Sequence, residues 1–523
     1  MESLSAFASV PELVPHRARE QRDHVAVSYE GETCTFGELD SRAASVQTWL
    51  GEQGVVRGDR VVIFMRNSLE LLYVWLGIAR AGVVGVPLNT SSLGDALAHP
   101  LVHSASVGMF ADADLLETAR QIEEVPESMR FVATGSQEGN DDIDVASVLA
   151  TAADRVEPVV IAGSDAMNII YTSGTTGMPK GVVLSHTRNV NTGAYFAHHL
   201  GLREDDTLQT CLPPFHCNAQ QTTVMAGLSL GAQIVVNGKF SLSRFPTWIA
   251  EIGATVTNLI GSMLALLSKT APTPADAASS FRYIVAAPVP EALQLELEDR
   301  YRARIVEGYG LTETGTMACM NPPDDRRPGT FGVPLEHTEL RVVDEFRVDL
   351  GPGVPRELLV RSRIQDAFMA GYFLEPEKTA KAVQDGWFST GDVCVRREDG
   401  YYVFIDRLKD AIRRRGENIS SFLVEKAIGE HPNVLEVAAT GVPSELSEQD
   451  VLVVVVSRPE SGLTPEDIFA RATVKLGDFM RPRYVEIRDD LPRTETGRVH
   501  KLSLRHERHD GAWDAESLSG DRA

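Results

Sequence analysis

The chain has 523 residues, more than one hydrophobic core usually supports, so at least two domains are expected. Its 43% hydrophobic and 24% charged residues are ordinary for a globular protein. With 50 lysines and arginines against 73 acidic residues, the net charge of -23 argues against partners such as nucleic acid or an anionic membrane surface, yet leaves room for one locally basic pocket that takes a small anion.

The first residues, MESLSAFASVPELVPHRAREQ, lack a basic stretch followed by an apolar core. No run approaches the about 18 to 20 apolar residues of a membrane span, so the chain reads as cytoplasmic. From about Val25 to Thr90, AVSYEG and TFGELD predict a strand, a turn and a helix start. RVVIFMRNS predicts a buried strand followed by a helix, and GVVGVPLNT another short strand. The alternation returns through FVATG, NIIYTSG, TLQTCLPPF, AQIVVNG, ATVTNLIG, YIVAAPVP and RIVEGYG. Apolar β-branched runs that end in small polar residues and lead into helices predict an α/β domain with buried parallel strands. Ligands in such sheets bind beyond the carboxyl ends of the strands.

After about Gly391 the texture changes to GYYVFIDRLKD, RRRGENISSFLVEKAIGEHP, VLEVAATGVP and VLVVVVS, which predict a small α+β unit. The expected division is 1–406, 407–505 and a polar, patternless tail at 506–523 that reads as disordered. Cys34, Cys211, Cys217, Cys319 and Cys394 are scattered with no Cys-x-x-Cys pair, so neither a zinc site nor a disulfide framework is suggested.

Two motifs carry chemistry. YTSGTTGMPKG, from Tyr171 to Gly181, follows the strand-like NII. Its small residues let backbone amides approach an oligophosphate, its hydroxyls add donors, and Lys180 supplies a point charge. It is not a Walker A loop, because Gly181 follows Lys180 and the glycine spacing differs. EGYGLTET, from Glu307, sets a Thr hydroxyl and a carboxylate side by side after a glycine turn. A carboxylate near triphosphate makes sense with a metal between them, and Mg²⁺ prefers one or two carboxylates plus phosphate oxygens.

In these motifs the chain resembles the adenylate-forming superfamily of acyl-CoA synthetases, luciferases and peptide-synthetase adenylation domains, from about Pro11 to Arg505. PPFHCNAQ, VTNLIGSM and RRRGENIS look most like its carnitine- and crotonobetaine-CoA ligase-like branch. The resemblance implies a large N-terminal domain of parallel sheets and helices, hinged to a small α+β C-terminal domain. By resemblance the phosphate loop is Thr172, Ser173, Gly174, Thr175, Thr176, Gly177 and Lys180. Thr312 would contact phosphate and Glu313 would hold Mg²⁺. Ala286, Ala287 and Pro288 would lie against adenine, with Glu307, Gly308 and Tyr309 completing the nucleotide site. Asp392 and Arg407 would hold the ribose, a carboxylate being apt to accept from vicinal hydroxyls.

His216 looks like the gate of the acid pocket, with Asn218, Gln220, Gln221, Asn258, Gly261, Ser262 and Gly310 lining it. A buried amide needs a partner, so these polar residues lean toward a polar acid, unless the amides serve the protein's own backbone. Lys409 occupies the family's hinge position. Arg414, Arg415, Gly416, Glu417 and Asn418 resemble the segment presented to the thiol donor, where the arginines either attract the phosphates of coenzyme A or form a solvated face. One departure stands out: the family's C-terminal Gly-Lys is here Gly497-Arg498, with Lys501 nearby as a substitute catalytic cation.

The implied reaction joins a small polar or aromatic acid to ATP, releases pyrophosphate, and passes the acyl group to coenzyme A. An amide-forming ligase, a diazotase joining nitrite to an aryl amine, and a non-catalytic nucleotide-binding relative are the alternatives. The oligomeric state, including a homo-oligomer, is left open.

Overall fold

The computed structural model describes residues 5–126, 129–134, 143–151, 156–172, 178–289, 291–407, 412–419, 421–446, 448–492, 499, 501–509 and 511–519. The chain forms two units. One comprises Met1–Thr90, Leu101–Ile170 and Gly181–Asp406; the other comprises Ser91–Pro100, Tyr171–Lys180 and Arg407–Ala523.

In the large unit, the described residues form two long sheets. The eight-stranded sheet runs, edge to edge, through Gly371–Tyr372, Lys180–Ser185, Ala166–Thr172, Val84–Pro87, Arg60–Phe64, Gly108–Asp112, Arg130–Thr134 and Ile143–Asp144. Its central pairings are parallel, and Arg60–Phe64, Val84–Pro87 and Gly108–Asp112 are each followed by a helix. The helix Leu69–Arg80 begins where the Ser68 hydroxyl accepts from the Leu71 amide, and every residue except Glu70 is buried. Such all-round burial matches an element covered on every side. Gly77 in this helix is a packing requirement: a Cβ there would stand 2.5 Å from the Val46 Cβ of the helix Phe36–Glu52. That second helix starts with a capping box between Thr35 and Glu38, so its entry point is set locally.

The nine-stranded sheet runs through Val333–Pro334, Gly315–Met320, Arg304–Leu311, Tyr283–Ala287, Val256–Ile260, Thr207–Thr210, Gln233–Val236, Val25–Tyr29 and Glu32–Thr35. From Arg304–Leu311 across to Val25–Tyr29 the pairing is parallel, as the β-branched runs predict. Leu259, Ala286 and Glu307 face one another in register. The carboxyl ends of these three strands therefore stand side by side, which is where a doubly covered parallel sheet presents ligands. A smaller antiparallel sheet of Thr338–Val343, Arg356–Ser362, Val383–Gln384, Trp387–Arg396 and Tyr402–Arg407 supplies Asp392.

The second unit has its own core, with Ile428, Val453, Val455 and Ile468 fully buried. Its sheet orders Val434–Pro443, Gln449–Ser457, Tyr484–Arg488 and Trp513–Asp514, flanked by the helices Ser421–Gly429 and Pro465–Lys475. The tail at 506–523, expected to be disordered, instead carries regular structure within its described residues 511–519. Trp513–Asp514 pairs antiparallel with Tyr484 and Val485, and a 3₁₀ turn follows at Ala515–Ser519. The reason is pairing that composition does not display. Trp513 packs on Phe469 at 5.4 Å, Arg483 reaches Glu516 at 3.0 Å, and His509 meets Glu486 at 2.5 Å. Among the described residues no helix is long and apolar enough to cross a membrane. All five cysteines are free and buried.

Candidate active site

The strand Arg304–Leu311 and the turn after it organise the site. A bulge between Tyr309 and Leu311 interrupts its pairing with Gly315–Met320, and Gly310 sits at that irregularity. Beyond it, Thr314 closes the turn: its hydroxyl accepts from the Leu311 amide at 3.1 Å, and its amide donates to the Leu311 carbonyl at 3.1 Å. Thr312 and Glu313 are thereby presented at the strand's carboxyl end, both half-buried.

Three contacts hold these two residues. The buried guanidinium of Arg188 donates from Nη2 to the Thr312 carbonyl at 2.6 Å. The Met369 amide donates to the Glu313 carbonyl at 2.9 Å. The Tyr372 hydroxyl donates to Glu313 Oε1 at 3.0 Å. Burial, with the Glu313 charge adding to it, pushes the Tyr372 phenol well above its ordinary range, so the hydroxyl stays a donor. Neither Arg188 nor Tyr372 was singled out from the sequence. Tyr372 carries no local signal. Arg188 does carry one, because a cation in the first turn of a helix opposes the helix dipole.

One turn back along the strand, the Tyr309 hydroxyl donates to Asp392 Oδ2 at 2.7 Å, joining residues 83 positions apart. Tyr309 stacks on Phe331 with centroids 4.7 Å apart. Burial first, then the Asp392 charge, holds the Tyr309 phenol far above its ordinary range. Asp392 is 1% exposed, and its amide donates to the Thr390 hydroxyl at 3.1 Å. Gly308 is buried, and a Cβ there would stand 2.6 Å from the Met317 sulfur. The Glu307 carboxylate accepts from the Val289 amide at 3.1 Å, immediately after Ala286, Ala287 and Pro288. Glu307 thus ties that segment to the strand, a positioning contact within the group assigned to the nucleotide. Gly261 faces the same segment, since a Cβ there would lie 2.6 Å from the Pro288 carbonyl oxygen.

The acid-pocket residues divide. His216 is half-buried, with its ring 4.6 Å from that of Phe215. It precedes a buried π-helix, Ala219–Met225, a rare form that is frequent near functional sites. Gln220 and Gln221, expected to line the pocket, instead serve the interior. Gln220 accepts from Asn168 at 3.1 Å and donates to the Pro214 carbonyl at 2.7 Å, while Trp75 donates to Asn168 at 2.9 Å. Gln221 donates to Asn189 at 3.0 Å. Asn218 accepts from the Thr222 hydroxyl at 2.8 Å. Asn258 donates to the Thr223 hydroxyl at 2.7 Å, and its buried Oδ1 has no partner among the described residues.

Thr172 ends one strand and Lys180 opens the next. Ser173, Gly174, Thr175, Thr176 and Gly177 lie outside the described residues, as do Lys409, expected as the hinge, and Arg498. So do the side chains of Ser262, Arg407 and Asn418.

The family model of the AMP-binding enzymes matches residues 14–373, and that of the AMP-binding enzyme C-terminal domain matches 423–498. The chain belongs to the AMP-binding enzyme family. It is 30% identical over 466 residues to the crotonobetaine/carnitine–CoA ligase of Salmonella arizonae, covering 86% of this chain and 89% of the relative. Two solved structures are similar across 95% of this chain and 99% of theirs. The o-succinylbenzoate CoA synthetase of Bacillus subtilis has a TM-score of 0.84 at 25% identity. The amide bond synthetase of Marinactinospora thermotolerans has a TM-score of 0.85 at 26% identity.

In the second unit the structure gives partners to two of the residues expected to be functional in this AMP-binding enzyme. Lys501, weighed as a catalytic cation, pairs with Glu425 at 2.6 Å and donates to the Ser421 hydroxyl at 2.9 Å. Glu425 Oε1 also accepts from the Ala439 amide, so the lysine completes a structural knot. Arg414 forms neither a solvated face nor a free phosphate hook: it is buried, pairs with Asp450 at 3.1 Å and donates to the Arg481 carbonyl at 2.6 Å. Beside it, Arg415 is exposed, at the tight turn with Gly416 that leads into Glu417.

Proposed function

We propose that the protein activates a small carboxylic acid with ATP, forms an acyl-AMP with release of pyrophosphate, and transfers the acyl group to coenzyme A. One observation carries this reading: the carboxyl end of Arg304–Leu311 brings together Tyr309 with Asp392, Glu307 with the 286–289 segment, and the anchored pair Thr312–Glu313. In the first step a carboxylate oxygen attacks the α-phosphorus of ATP, a new O–P bond forms, and pyrophosphate leaves. In the second a thiolate attacks the acyl carbon and AMP leaves. Tyr309 would face adenine while Asp392 accepts from the ribose hydroxyls.

Glu313 suits Mg²⁺. One carboxylate oxygen is fixed by Tyr372, and a single carboxylate with phosphate oxygens is a donor set that Mg²⁺ accepts. Bound there, the ion would neutralise charge on the polyphosphate. Lys180 and the loop before it would bind phosphate, and Arg498 would take the place of the family's lysine during adenylation. His216 would gate the acid pocket, floored by Asn218, Asn258, Gly261, Ser262 and Gly310. Lys409 would act as the pivot that exchanges Arg498 for the segment Arg415, Gly416 and Glu417 before thiol attack.

A second reading keeps adenylation and changes the acceptor to an amine, favoured by the similarity to an amide bond synthetase. Pyrophosphate release, screened against short-chain, aryl and amino-aryl acids and nitrite, tests both, with coenzyme A or an amine as acceptor. Pyrophosphate with a CoA thioester supports the first reading, and an amide without a thioester the second. No pyrophosphate with any acid overturns both.

A further inference from the structure

Arg188 is 0% exposed, and among the described residues no carboxylate lies within ion-pair distance of it. Its Nη2 donates to the Thr312 carbonyl at 2.6 Å, while Nε and Nη1 have no hydrogen-bond partner among the described residues. The Cys217 thiol, next to His216, and the Glu313 carboxylate are its electrostatic neighbours, and burial holds the guanidinium below its usual range against both.

Two physical costs coincide at this position. A buried charge without a paired counter-charge loses its hydration, and an apolar residue of similar volume would usually serve stability as well or better. The side chain also sits in the first turn of His186–His199, where the Ser185 hydroxyl accepts from its own amide, so its charge adds to the positive end of the helix dipole. A residue kept for packing alone would avoid both. Together the helix end and the guanidinium concentrate positive potential directly behind Thr312 and Glu313.

We infer that Arg188 is a positioning residue for polyphosphate: it fixes the Thr312–Glu313 turn through the Thr312 carbonyl and supplies a buried positive charge that favours the β- and γ-phosphates of ATP. The inference rests on the adenylation reading above. It predicts discrimination between nucleotides, since AMP lacks the two phosphates on which the charge acts.

Calorimetric titration of the full chain with MgATP and with AMP tests it, using wild type, Arg188→Met and Arg188→Lys, with melting temperature recorded for each. Arg188→Met should weaken MgATP on the order of tenfold while AMP affinity moves by less than about threefold, and Arg188→Lys should recover most of the loss. If Arg188→Met does not fold, Arg188→Gln, which keeps a donor and loses the charge, gives the same readout. Equal weakening of both nucleotides, or MgATP binding at the wild-type level without the charge, overturns the inference while leaving adenylation intact. A wild-type protein that binds neither nucleotide overturns the adenylation reading itself, and the inference falls with it.

Discussion

Replacing Tyr309 by Phe removes one oxygen and keeps the ring that stacks on Phe331. The lost hydroxyl donates to Asp392 at 2.7 Å, and Asp392 is 1% exposed, so a buried carboxylate loses a charge-assisted donor. Such a loss costs about 1.5 to 3 kcal/mol. In a unit this large, that corresponds to a fall in Tm of about 2 to 5 °C. Asp392 would also lose the restraint that aims it at the ribose, weakening nucleotide binding on the order of tenfold, or about 1.4 kcal/mol. AMP and ATP carry the same ribose, so both should weaken together, unlike the pattern expected for Arg188. Differential scanning fluorimetry and calorimetric titration with AMP and MgATP measure the two effects. A Tyr309→Phe protein with wild-type Tm and wild-type AMP affinity would refute the claim that this hydrogen bond orders the site.

Glu313→Gln should abolish pyrophosphate release while MgATP binding largely survives, because the amide keeps the shape and cannot neutralise the metal; full turnover at saturating Mg²⁺ would remove Glu313 from the metal site. Gly261→Ala places a Cβ against the Pro288 carbonyl, so backbone must shift at a cost of about 1 to 3 kcal/mol, and KM for ATP should rise with it; an unchanged Tm and KM would show that the segment yields freely. Arg498→Ala should slow adenylation by about 30- to 1000-fold and spare transfer from pre-formed acyl-AMP. Lys501→Ala should lower the Tm and leave adenylation within about threefold, since it breaks the Glu425 pair; the opposite ranking would restore Lys501 as the cation. His337, stacked on Tyr195, is lowered by burial to about 4 from 6.5. Its contribution is fully present above pH 6.5 and is lost as pH falls toward 4, because only the unfolded state takes up the proton, up to about 3 kcal/mol. Urea midpoints at pH 7 and pH 5 should therefore differ less in His337→Phe than in wild type, and an equal drop would assign the acid sensitivity elsewhere.

Local chemistry made much of this protein readable before any coordinates. The α/β class followed from apolar β-branched runs ending in small polar residues, because a strand covered on both faces must be apolar along its whole length. The GYGLTE segment announced itself because a Thr and a carboxylate after a glycine turn have few other uses in such company. The resemblance pointed to Asp392 as a ribose contact. What order along the chain cannot encode is which polar side chains meet. Gln220, Gln221 and Asn218 look alike in a string of letters, yet the first two are spent on Asn168, Pro214 and Asn189 inside the core. Lys501 and Arg414 looked available because their partners, Glu425 and Asp450, are 76 and 36 positions away. The ordered tail depends in the same way on Phe469, Arg483 and Glu486. Arg188 and Tyr372 grip the Thr312–Glu313 turn from elements far apart in the chain. Periodicity and motif composition are local and survive in the sequence; the pairing of buried polar groups is decided only when tertiary packing removes water and leaves each donor one acceptor within reach.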